Sequence, residues 1–135
     1  EEHAVQKAME AAKEKGAKRT LQLPVSGAFH SALMQPAVET LTAILEDVPF
    51  SKAQIPIIPN VTTEPTTDPQ ELKDLLIQQV ISPVRWTQSM ITLGTQGITQ
   101  AYEVGPGSVL KGLMRRINKE ILVTEAGTVD AINAI

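Results

Sequence analysis

Between Glu2 and Lys15 the apolar residues Val5, Ala8, Met9 and Ala12 recur at helical spacing, and Gly16 follows as a stop, which predicts an amphipathic helix. Leu21, Leu23 and Val25 alternate with Gln22 and Pro24, the two-residue period of a half-buried strand, with the proline favouring an edge or a strand end. Pro36 suits a first helical turn, and Val38, Leu41, Leu45 and Val48 continue an apolar stripe as far as Pro49. The short apolar run Ile55 to Val61, bounded by prolines, predicts a buried strand that carries Asn60 at its end.

In the second half, Asp68-Pro69 combines a capping side chain with a proline start. Leu72, Leu75, Leu76 and Val80 form the face that this helix is expected to bury before Ser82-Pro83 closes it. A further helix is predicted over Trp86 to Leu93, a strand over Gln100 to Val104, and a helix after Gly105-Pro106-Gly107 that buries Val109, Leu110, Leu113, Met114 and Ile117. Ile121 to Val123 reads as a last strand and Val129 to Ile135 as a last short helix. Strands and helices alternate, so the fold class expected is α/β, with a largely parallel sheet.

Composition narrows the picture. A chain of 135 residues with 42% hydrophobic side chains fits one soluble domain that buries roughly two-thirds of its unfolded surface. The net charge of -3 argues against general nucleic-acid binding, which needs a basic field. No apolar run approaches the ~18 residues that span a bilayer, and no signal peptide opens the chain, so a cytoplasmic protein without a membrane role is expected. The absence of cysteine excludes disulfides, thiolate metal sites and a cysteine nucleophile. Because the sequence opens on Glu1 and already reads as helix, it is expected to be a fragment.

Two histidines carry the candidate chemistry. His3 sits among Glu1, Glu2 and Gln6 and reads as solvated. His30 follows the first predicted strand in a small-residue loop beside Phe29, Ser31 and Met34. A neutral imidazole accepts a proton near pH 7, and on local context a functional and a structural role for His30 stand side by side. Ser26 and Ser31 are its sequence neighbours, but neighbours seldom have the opposed geometry of a nucleophile and its base, and no G-x-S-x-G elbow occurs in the chain. No His, Asp or Glu lies within one helical turn of His30, so no metal site is expected.

Gly105-Pro106-Gly107-Ser108 joins a strand to a helix. It reads as a tight turn with Ser108 as the helix cap rather than as an anion cradle, since both the Walker Lys-Ser/Thr and the second half of G-x-G-x-x-G are missing. Lys13, Lys15, Lys18 and Arg19 form one basic group, and Lys111, Arg115, Arg116 and Lys119 another. Either is ordinarily a solvated face; against an acidic partner it speeds encounter and holds register.

Taken together, the ordered segments P-V-S-G-A-F-H-S-A-L-M-Q-P from Pro24, I-P-I-I-P-N-V-T from Ile55, Q-Q-V-I-S-P-V-R-W-T from Gln78 and Y-E-V-G-P-G-S-V-L-K-G-L from Tyr102 closely resemble the bacterial malonyl-CoA:acyl carrier protein transacylases. The resemblance covers essentially the whole chain and corresponds to the C-terminal part of those longer enzymes. It implies an α/β-hydrolase-like acyltransferase domain with an inserted ferredoxin-like subdomain. On that view residues 1–26 are the end of the small subdomain and residues 27–135 the C-terminal part of the large one.

The resemblance also implies roles. A serine in a G-H-S-x-G elbow is acylated by malonyl-CoA, and His30 matches the histidine that serves as its base, with the backbone carbonyl at Gln79 orienting the ring. Asn60 matches an asparagine beside the substrate site, with strand-end capping as the alternative reading. Phe29 matches a position where related polyketide synthase acyltransferase domains carrying Phe tend to select malonyl over methylmalonyl, a preference of ~1 to 3 kcal/mol per methylene; a plain core role is the alternative.

Lys111, Arg115, Arg116 and Lys119 are the candidate docking group for acyl carrier protein. Malonyl-CoA is a substrate and no cofactor is implied. The serine elbow, the arginine that pairs with the malonyl carboxylate and the N-terminal glutamine loop all lie outside these residues, so the implied partners include the missing N-terminal half. The 135 residues alone are expected to be inactive. The alternatives are a non-catalytic fragment that binds carrier protein, and part of a polyketide synthase acyltransferase domain.

Overall fold

The helix expected at the start forms as α1, Glu2–Glu14, and Gly16 in the left-handed region (φ 93°) ends it. The computed structural model describes residues 2–22, 24–25 and 27–135. A 3₁₀ turn at Ala32–Met34 leads into α2, Gln35–Glu46, with Pro36 in its first turn. Then come α3 (Pro69–Gln79), α4 (Trp86–Thr95), β1 (Gln100–Val104), α5 (Val109–Ile117), β2 (Leu122–Ala126) and α6 (Val129–Asn133). Strands β1 and β2 pair in parallel, with Gln100 opposite Leu122 and Val104 opposite Ala126. The crossover between them is α5, as a parallel pair requires.

Two predicted strands are corrected. The described residues of the first, Leu21, Gln22, Pro24 and Val25, form no strand, and Leu21 and Val25 are 63% and 66% exposed. Leu23 and Ser26 lie outside the described residues. Of the run Ile55 to Val61, only Ile57 pairs, in a single antiparallel bridge with Thr66. Pro56 and Pro59 remove the amide donors on either side of it, so a ladder cannot propagate.

The helix starts follow local chemistry. Asp68 accepts the Glu71 amide at 2.7 Å, with Pro69 behind it, and Thr128 accepts the Ala131 amide at 3.1 Å. The α5 start is different: Ser108 makes no side-chain cap bond, contrary to expectation. Instead Glu103, next to the last residue of β1 and 8% exposed, accepts the Leu110 amide at 2.9 Å and the Lys111 amide at 2.8 Å. A carboxylate at the positive end of a helix dipole is a stronger acceptor than a hydroxyl, and it bolts the helix to the strand.

Burial falls short of the expectation. The accessible surface is 10201 Å², against about 6,900 Å² for a compact monomer of this length. Leu45, Leu75, Met114, Ile121 and Ala126 form the buried apolar set, with Met114 at 2% exposure. Of the faces predicted to be buried, α3 buries only Leu75 and α5 only Met114, while Leu76, Val109, Leu110 and Leu113 are exposed, as are Val104, Leu122 and Val129. The elements form as their periodicity dictates, but their apolar stripes exceed what the neighbouring elements cover.

Candidate active site

His30 adopts a left-handed backbone (φ 62°), a conformation sparsely populated by side-chain-bearing residues and enriched where a site constrains the chain. The C-terminus of α3 holds it there. A helix leaves its last carbonyls without intrahelical donors, and Ser82-Pro83 prevents α3 from continuing. The Val80 carbonyl accepts the His30 amide at 3.1 Å, and the Gln79 carbonyl lies 3.0 Å from His30 Nδ1. The ring thus sits against the C-terminal end of α3, where the carbonyls lack helical donors.

When Nδ1 carries the proton it donates to the Gln79 carbonyl, and Nε2 is left with a free lone pair on an exposed ring. That arrangement suits a general base. Ser31 is not its nucleophile: the Ser31 hydroxyl donates to the Ala28 carbonyl at 2.7 Å and caps the 3₁₀ turn. Ser26 lies outside the described residues. His3 is exposed on α1, consistent with a solvated side chain.

Asn60 lies behind this pair. Its Nδ2 donates to Gln79 Oε1 at 2.7 Å and to the Pro83 carbonyl at 2.8 Å, and its Oδ1 accepts the Arg85 amide at 2.5 Å. With no strand over Ile55 to Val61, the strand-end reading of Asn60 falls away. Phe29 is 57% exposed, and its ring packs over Gly27. Sequence reasoning missed the Gln79 side chain and the Arg85 amide. Only the folded chain brings them together, across 19 to 49 residues.

The second basic group lines an open groove of about 710 Å³ with Gly112, Ile121, Leu122 and Val123. Arg115 and Arg116 occupy the last turn of α5, where cations complement the helix dipole. Lys111 is partly engaged already, in an exposed ion pair with Glu125 at 2.9 Å. The groove therefore combines cationic walls with an apolar floor from β2. Lys13, Lys15, Lys18 and Arg19 are exposed and separate in sequence from it. No helix among the described residues is long and apolar enough to cross a membrane.

No protein-family model matches the chain. It is 43% identical over 129 residues to the malonyl CoA-acyl carrier protein transacylase of Bacillus subtilis (strain 168), which covers 93% of this chain and 41% of that protein. The chain thus spans about two fifths of the length of the curated relatives it matches. Among solved structures, the acyl-carrier-protein-S-malonyltransferase of Bartonella henselae superposes with a TM-score of 0.90 at 44% identity, over 98% of this chain and 42% of that one. A malonyl-transacylase in complex with its type II PKS acyl-carrier protein matches at a TM-score of 0.88 and 38% identity, over 98% of this chain and 43% of that one. The α/β acyltransferase fold of these structures is the fold of this chain.

Proposed function

These residues are homologous to the malonyl CoA-acyl carrier protein transacylases, and from that premise we propose that they supply the histidine base for malonyl transfer from malonyl-CoA to the pantetheine thiol of acyl carrier protein. The observation that carries the reading is the seat of His30, with Nδ1 against the Gln79 carbonyl and Nε2 exposed. In this reading the nucleophile is a serine on a segment outside the 135 residues, and residues 1–26 and 27–135 divide between a small and a large subdomain.

His30 Nε2 takes the serine proton as Oγ attacks the thioester carbonyl, and the imidazolium then returns it to the departing CoA thiol. In the second half-reaction His30 takes the proton of the carrier thiol as that sulfur attacks the acyl-serine, and gives it back to serine Oγ. While His30 takes each proton, the Gln79 carbonyl holds the ring with Nε2 free to accept it. Phe29, exposed beside His30, is placed in this reading to crowd a 2-methyl substituent and favour malonyl.

A base without its nucleophile catalyses nothing by this route. Incubated alone with malonyl-CoA and carrier protein, the 135 residues are expected to give no malonyl-carrier product in an intact-mass assay. Transfer by the isolated chain contradicts the reading.

The basic groove is assigned to carrier docking, supported by the carrier complex among the structural neighbours and by the cations at Lys111, Arg115, Arg116 and Lys119. Reversing Arg115 and Arg116 to glutamate is expected to weaken carrier binding about tenfold or more at low salt, and to flatten its salt dependence. Titration by calorimetry at two ionic strengths reads both effects, and wild-type affinity in the double variant removes the assignment.

A further inference from the structure

The contacts behind His30 have a polarity, and it is fixed from outside the ring. The Arg85 amide can only donate and the Pro83 carbonyl can only accept, so Asn60 must turn Oδ1 to the first and Nδ2 to the second. Its Nδ2 then also faces the side chain of Gln79 and selects Oε1, at 2.7 Å. That choice leaves Gln79 Nε2 facing His30 Nδ1, at 3.0 Å.

Nδ1 therefore meets two groups of one residue at equal distance, a donor in the Gln79 amide and an acceptor in the Gln79 carbonyl, 3.0 Å each. A bare Nδ1 accepts from the first, and a protonated Nδ1 donates to the second. In a neutral imidazole the two alternatives put the remaining proton on Nε2 or on Nδ1, and only the second leaves Nε2 able to act as a base. From this juxtaposition we propose that Asn60 and the side chain of Gln79 form a relay that sets the tautomer of His30, holding the resting ring with its proton on Nε2 and in competition with the backbone carbonyl.

Asn60 and the Gln79 side chain are positioning residues in this account, since they reach the chemistry only through His30. The importance of the relay for catalysis rests on the base assignment made above; its existence does not. The relay acts as a brake on an unoccupied site, and a group that needs a proton acceptor at Nε2 draws the ring into the carbonyl-held form. No protein atom has to move far, because both partners are already within hydrogen-bond distance of Nδ1.

The tautomer is read directly by nitrogen-15 NMR, in which protonated and bare imidazole nitrogens resonate far apart. The experiment uses the complete enzyme that contains these residues, with its serine replaced by alanine so that the site is unoccupied, at about pH 9, where an ordinary imidazole is neutral, and with His30→Gln to assign the His30 signals. The wild-type chain is expected to show His30 mainly protonated on Nε2. Gln79→Met removes the donor but keeps the carbonyl, and should shift the tautomer ratio about fivefold toward Nδ1–H, the worth of one neutral hydrogen bond.

Asn60→Asp presents an acceptor to Gln79, turns its amide over and places Oε1 against Nδ1, so it should shift the ratio about tenfold or more in the same direction. A lost bond alone gives no such polarity reversal. A wild-type His30 already protonated on Nδ1 overturns the proposal, as does a ratio that neither variant moves; if one variant fails to fold, the other and the wild type still decide. Should the ratio move as stated while a complete acyltransferase proves indifferent to His30, the relay stands and the base assignment falls.

Discussion

In a chain that joins these residues to the serine elbow, replacing His30 by alanine is expected to lower malonyl transfer by ~10²- to 10⁴-fold, the usual contribution of a positioned general base. The loss should fall on kcat, because the ring touches the travelling proton rather than the bulk of the substrate. Carrier binding should be unchanged, since the basic groove at Arg115 and Arg116 lies on a different element from the His30 loop. Gln79→Ala keeps the backbone carbonyl 3.0 Å from Nδ1 and should therefore cost far less than the loss of the ring itself. A coupled thiol-release assay reads both variants. Equal losses in the two contradict the carbonyl's role as the orienting group.

The second large effect concerns the fold. Gly127 follows β2, and a Cβ built there overlaps the Gly105 carbonyl oxygen and lies 3.0 Å from the Gly105 carbonyl carbon and 3.3 Å from Pro106 Cα. These are backbone atoms, so no rotamer change relieves the overlap. Gly127→Ala must push the Gly105-Pro106-Gly107 turn away from the end of β2, at a cost of ~1 to 3 kcal/mol. Because that turn leads into α5, the displacement also strains the bonds from Glu103 to the Leu110 and Lys111 amides. Urea denaturation should show a lower midpoint for Gly127→Ala, whereas Gly112→Ala, which meets no atom within 4 Å at its Cβ and sits on ordinary helical backbone in α5, should not lower it. An unchanged midpoint in Gly127→Ala means that the turn yields freely.

What was legible in the sequence was local. Asp68-Pro69 announces α3 because cap and proline act within one turn, and the strand at Gln100 to Val104 appears with the predicted bounds because flanking glycines leave it little choice. The run Ile55 to Val61 misleads because its hydrophobicity suggests a strand while Pro56 and Pro59 deny it the donors. The α5 cap was illegible for a different reason. Glu103 reaches it through the strand-to-helix turn, and the nearer Ser108 is the better local guess.

The candidate site shows the same division. Local chemistry singles out His30 only as one of two histidines, and the four ordered segments, not spacing, direct attention to Gln79. Contact between residues 49 apart is invisible to any periodicity, and the left-handed backbone that aims the ring is carried by a residue type that only tolerates it. The exposed stripes on α3, α5 and β2 mark a further limit of pattern reading: periodicity identifies a face that can be buried, but not what buries it.

If His30 takes the proton from the attacking serine, its loss must slow the first acylation. Single-turnover acylation tests it most directly: wild-type and His30→Ala forms of the serine-bearing enzyme are mixed with malonyl-CoA, and the malonyl adduct is followed by intact mass on a quenched-flow time course. A rapid adduct is expected in the wild type and one slowed by at least ~10²-fold in the variant, with carrier affinity equal in both. Acylation at the wild-type rate in His30→Ala contradicts it.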